Sequence, residues 1–207
     1  MIKKLSLTIV LLLPAIAVVA AVAAEPQTMI RQQVGEVVEL LKSTDTGDAG
    51  QREDVDRQLR EIIREMFDYA QVARLALGRN WRLFSPDQKK AFANTFADFL
   101  GTIYINRIRG DFSDLSVKFT GSEMLTDTKA VVRSIIRRES VSIPVDYYLL
   151  NSGKGWRVYN VKIEGVSMVS NYRSQFNKLL LKESPDALIL RLEKRLHKMR
   201  SQDSGAA

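Results

Sequence analysis

Apolar residues recur every three to four positions through the first part of the chain and every second position through its middle. Val34, Val37, Val38 and Leu41 share one face of a helix, which polar residues and glycine break between Thr44 and Gly50. Val55, Leu59, Ile62, Ile63, Met66 and Phe67 predict a second helix. Tyr69 to Gly78 predicts a short third, with Gly78 as its C-terminal cap. Ser85-Pro86-Asp87-Gln88 is a helix start: serine caps, proline takes the first helical position, and glutamine closes a capping box. Phe92, Phe96, Phe99, Leu100, Ile103 and Tyr104 then form a broad apolar stripe.

After Gly110 the period changes to two. Leu115, Val117 and Phe119 alternate with polar residues, as do Ala130, Val132, Ser134 and Ile136, then Ile143, Val145, Tyr147 and Leu149. Asn151 to Gly155 is a turn that joins a fourth strand, Trp156 to Ile163, into a hairpin. Helix resumes near Val169 and breaks at Ser184-Pro185-Asp186. Leu188, Leu192, Leu196 and Met199 give the last helix one apolar face. This order predicts an α+β fold, with helices on one face of a mostly antiparallel sheet of four or slightly more strands.

The N-terminus stands apart. Lys3 and Lys4 precede an uncharged apolar run from Leu5 to Val22, which ends in small residues around Ala23 and Ala24. That is the layout of a secretory signal peptide, with Pro14 and the alanines favouring cleavage over a retained anchor. The expected organisation is a signal over 1–24, one domain over 25–200 and a frayed tail over 201–207. The formal charge of +7 falls to +5 once Lys3 and Lys4 are removed. Such a surface suits anionic lipid or an acidic protein face, and export argues against nucleic acid. The chain has no cysteine, hence no disulfide, lipid-bearing cysteine, thiolate nucleophile or cysteine metal site.

Catalytic chemistry is poorly supplied. The single histidine, His197, lies among Arg191, Lys194, Arg195, Lys198 and Arg200, where a solvated basic face is expected rather than an oriented base. Phosphate-loop and dinucleotide fingerprints are absent, and Gly165-Val166-Ser167 lacks the glycine of a nucleophile elbow. Asp45 and Asp48 lack the further ligands of a calcium loop, so neither metal nor cofactor is expected. Asp68 and Asp146 read as a cap or surface charge before they read as acid–base groups. Periodicity does not separate a filled apolar core from a lined cavity.

One stretch adds to this. Gly155-Trp156-Arg157-Val158-Tyr159-Asn160-Val161-Lys162-Ile163-Glu164-Gly165-Val166-Ser167-Met168-Val169-Ser170-Asn171-Tyr172-Arg173-Ser174-Gln175-Phe176 resembles the signature of the MlaC family of periplasmic phospholipid-binding proteins. Trp81 to Gln88, continuing to Phe92 and Phe96, and the tail Ser184 to Ile189 resemble other family segments in the same order. Asn160 departs from the pattern, where the family is expected to carry Asp.

The resemblance implies a cone-like α+β domain with a deep apolar pocket between sheet and helices. It implies a periplasmic carrier, without catalysis, that shuttles phospholipid between an outer-membrane lipoprotein complex and an inner-membrane ABC transporter of the Mla type. A monomer suffices for that role, with transient membrane contact. The expected pocket wall is Phe96, Leu100, Tyr104, Val132, Ile136, Val145, Tyr147, Leu149, Val161, Ile163, Val166, Tyr172 and Phe176, with Tyr104, Tyr147 and Tyr172 at the mouth and their hydroxyls outward. Arg173 is a candidate phosphate contact or, more simply, half of a structural ion pair. A ligand-free envelope adaptor and a cone-fold enzyme are the competing expectations.

Overall fold

A computed structural model describes residues 25–43, 49–107, 114–138 and 140–204. The expected signal segment, the acidic loop with Asp45 and Asp48, and the last three residues of the tail lie outside them. Four helices come first: α1 (Pro26–Ser43), α2 (Ala49–Met66), α3 (Tyr69–Leu77) and, after a 3-10 turn at Gly78–Leu83, α4 (Pro86–Arg107). Five strands follow, β1 (Ser116–Thr126), β2 (Lys129–Arg138), β3 (Val141–Asn151), β4 (Trp156–Ile163) and β5 (Val166–Ser167). Helices α5 (Met168–Leu179) and α6 (Pro185–Ser204) complete the chain.

The local signals explain the boundaries. Asp68 accepts a hydrogen bond from the Gln71 N–H at 2.9 Å, so it caps α3. Gly78 ends that helix at φ 55°, a conformation that favours glycine. At α4 the capping box forms in both directions. The Gln88 N–H donates to Ser85 Oγ at 3.2 Å, and the Ser85 N–H donates to Gln88 Oε1 at 2.9 Å.

The strands form one antiparallel meander in the order β1-β2-β3-β4-β5. Three irregularities bend it. Thr120 is the extra residue between Phe119 and Gly121, Tyr159 is the extra residue between Val158 and Asn160, and Leu125 is the extra residue between Met124 and Thr126. The second bulge turns both Val158 and Val161 into the same apolar cluster. A two-residue turn at Glu164-Gly165, both with positive φ, closes β4 onto β5.

Buried residues fall into three clusters. The largest lies among α3, α4, α5 and α6 and holds Phe92, Phe96, Phe99, Phe176 and Leu188. A second covers the inner face of the sheet with Ile30 and Val34 of α1 and Met66 of α2. A smaller one joins Leu41, Leu59, Ile105 and Leu115. Ile136 packs against both of the latter. Sheet and helices therefore meet across apolar surface, as expected for one-sided strands.

Candidate functional site

The expected wall residues separate into two groups. Val132, Val145, Tyr147, Leu149 and Val161 are buried on the inner face of the sheet, with Ile136 and Ile163 half-buried beside them. Register explains this: Val132 pairs with Tyr147, Ala130 with Leu149, and Tyr147 with Val161. Phe96, Leu100, Tyr104, Tyr172 and Phe176 belong instead to the helical cluster. There Phe96 meets Phe92 at 5.4 Å between ring centroids, Tyr172 at 5.0 Å and Phe176 at 5.2 Å, the last two edge-on. Val166 belongs to neither group and is 63% exposed, carried outward by the tight turn before it.

Three expectations need correction. Tyr147 is not at a mouth: it is 7% exposed in the middle of the inner face, and burial pushes its phenol above the usual range. Tyr172 stacks on Phe176 and is half-buried among rings. Arg173 forms no ion pair among the described residues. Its Nε donates to the Leu75 carbonyl at 2.7 Å, and its stem runs past Gly78, where an added Cβ would lie 3.3 Å from Arg173 Cδ. It secures α5 to the C-terminal end of α3, where free carbonyls favour a cation.

Asn160 has a defined task. Its Oδ1 accepts from the Val169 N–H and from Ser167 Oγ, both at 3.1 Å. Ser167 in turn caps α5 by accepting from the Ser170 N–H. The bulged strand thus holds the start of α5.

Alignment of sequence periods missed several contributors. Ile30 lies one turn before the α1 stripe that begins at Val34, and Met66 belongs to the end of α2. Ser134 was legible as inward by alternation, but its state was not. It is 2% exposed, opposite Phe119 on β1 and Val145 on β3, and its Oγ has no hydrogen-bond partner within 3.5 Å among the described residues. By contrast the buried Thr102 hydroxyl accepts from Arg60 at 3.1 Å.

Elsewhere, two surface grooves among the described residues have charged side chains along them. One, about 540 Å³, runs between α4 and α6 past Asn94, Thr95, Glu193 and His197. The other, about 380 Å³, lies between α2 and α4, with Arg57, Arg60 and Arg64 along it. Asp98 joins them, pairing with Arg64 at 2.7 Å and Arg200 at 3.5 Å. His197 is exposed and has no acid–base partner in a hydrogen bond among the described residues. Asp68 is used as a cap, and Asp146 sits in register with Arg133 and Lys162 on the outer face. Among the described residues no cluster of three or more His, Asp or Glu is placed to hold a metal ion. No described helix is long and apolar enough to cross a membrane.

The architecture is that of an α+β domain with an apolar sheet–helix interior. The family model described as MlaC protein matches residues 31–194, so the chain belongs to the MlaC family. No curated protein matches. Among solved structures, the phospholipid-binding protein from Ralstonia solanacearum, in complex with a phospholipid at 1.53 Å resolution, is similar at a TM-score of 0.73. The two chains are 24% identical, and the match covers 86% of this chain and 99% of that one. At that identity the likeness establishes the fold.

Proposed function

We propose that this protein is a periplasmic phospholipid carrier rather than an enzyme. It holds acyl tails between the inner face of the sheet and the helices, and exchanges lipid with an outer-membrane complex and an inner-membrane ABC transporter. The signal-like segment 1–24 delivers it there, and a monomer suffices. The observation that carries this reading is the family match over residues 31–194. The inner sheet face supports it: Val132, Val145, Leu149 and Val161 offer apolar contact without directional bonds, which suits varied tails.

Magnitudes make the mechanism specific. Two acyl chains carry about 30 methylenes, so exposing them to water costs on the order of 25 kcal/mol. Helix α1 buries Pro26, Ile30, Val34 and Leu41, together worth at most about 10 kcal/mol. Lifting α1 from the sheet is therefore a smaller cost than leaving the tails in water. A bilayer already hides those tails, so uptake from a membrane gains little by itself, and release stays possible.

The packed clusters favour one competitor, an envelope adaptor without ligand. Native mass spectrometry of the mature protein, purified without detergent, separates the two. A co-purified phospholipid at near-stoichiometric amount is expected. A protein that is empty, and stays empty after incubation with phospholipid vesicles, overturns the carrier reading.

A further inference from the structure

We propose that Ser134 and Tyr147 form a hydroxyl subsite that donates to an ester carbonyl of the bound lipid, fixing where its glycerol backbone lies. This rests on the carrier reading above. Ser134 occupies the centre of the inner face, on β2 between Val132 and Ile136. It is 2% exposed, and its hydroxyl has no partner within 3.5 Å among the described residues, its polar neighbour being the Tyr147 phenol. Burying a hydroxyl without a partner is costly, and a wall that met only methylenes would have Ala or Val at this position. Tyr147 lies diagonally across on β3, paired with Val132, while Val145 is paired with Ser134. Its phenol is buried on the same face, where Ser134 is close enough to ease the burial penalty on its ionised form. Two hydroxyls thus stand together on an otherwise apolar wall.

The chemistry selects the acceptor. Phe119, Val132, Ile136 and Val145 around the pair carry no charge, so a phosphate or carboxylate would be buried without a counter-charge. A neutral acceptor fits, and in a diacyl phospholipid the neutral acceptors beside the tails are the ester carbonyls. The charged head then leaves past Phe119, whose ring faces the exposed guanidinium of Arg31 at 4.5 Å.

The test offers the mature protein vesicles with equal amounts of ester-linked diacyl and ether-linked dialkyl phosphatidylethanolamine of one chain length. Native mass spectrometry reads the ratio of bound lipids. Wild type is expected to prefer the ester by about five-fold, the worth of one net hydrogen bond. Ser134→Ala should bring the ratio close to parity, Tyr147→Phe should lower it, and Ser134→Thr should preserve it. Unloaded Ser134→Ala should also be at least as stable to urea as wild type, because it removes an unpaired buried hydroxyl. Parity in wild type, or an unchanged ratio in Ser134→Ala, overturns the subsite. So does a loss of stability in unloaded Ser134→Ala, which would mean that the hydroxyl is already satisfied, by Tyr147 or by buried water. If neither lipid loads into wild type, the carrier reading itself fails, and the subsite with it.

Discussion

Phe96→Ala tests whether the aromatic cluster of the helices is solid core or part of a lipid wall. Phe96 is 1% exposed and lies 5.4, 5.0 and 5.2 Å, between ring centroids, from Phe92, Tyr172 and Phe176. Removing a fully buried phenyl ring costs about 3–5 kcal/mol, of which each ring pair accounts for roughly 0.5–1.5 kcal/mol. Those neighbours belong to two helices, Phe92 to α4 and Tyr172 and Phe176 to α5, so the hole cannot close by shifting one side chain. With a urea m-value of about 2 kcal/mol/M, the midpoint should fall by about 2 M with little change in slope. Bound lipid should persist in buffer without denaturant, because the sheet face is untouched. A fall of less than about 0.5 M would refute the reasoning, since it would mean that the rings already border open space. Lost lipid in a well-folded variant would refute it too, by returning Phe96 to the wall.

Val145→Trp and Val161→Trp fill the inner sheet face. Each should cost about 1–3 kcal/mol, leave a folded protein by circular dichroism and abolish lipid loading; normal loading would place the tails elsewhere. Asn160→Asp keeps both accepted hydrogen bonds and sets a negative charge at the start of α5. It should raise Tm by about 2–4 °C, whereas Asn160→Ala should cost about 1–2 kcal/mol; a lower Tm for the aspartate means that its desolvation outweighs the helix dipole. Burial raises the phenols of Tyr69 and Tyr147 above the usual value near 10. Below pH ~10 both stay protonated, folded or unfolded. Above it the unfolded chain releases their protons first, so stability falls by as much as ~1.4 kcal/mol per pH unit per group. A tyrosinate absorbance titration should leave these two of the six tyrosines silent until the protein unfolds, and six phenols titrating together near pH 10 would refute the burial.

The boundaries were legible where one residue type does one job. Ser85, Gln88, Asp68 and Gly78 each act within a turn of the chain, so the sequence holds both partners of each contact. Alternation placed Val132, Ser134, Val145 and Tyr147 on the correct face for the same reason. Period two alone, however, sets Val158 and Val161 on opposite faces, and only the bulge at Tyr159 unites them. Periodicity also says which side of an element is apolar and not what that side meets. Phe96 and Phe176 therefore looked equivalent to Val145 and Val161, although they pack in different clusters. Arg173 reached a backbone carbonyl 98 positions away, a partner that no spacing rule reveals.

The attachment of the sheet to the helices is uneven, and this has a mechanical consequence. At β4 the joint is polar and directional. Phe67 bridges Val158, the Asp68 N–H donates to the Val158 carbonyl at 2.9 Å, Arg157 donates to the Glu65 carbonyl, and Asn160 holds α5. At β1 and β2 the described contacts with α1 are side-chain packing and the Arg31–Phe119 stack. Directional bonds resist rotation, whereas an apolar seam parts and re-forms with little geometric penalty. The molecule is thus sewn along one margin and merely pressed shut along the other. In amide hydrogen exchange, the α1 amides should open at lower free energy than those at the β4 seam, as a cover lifts while its spine stays bound.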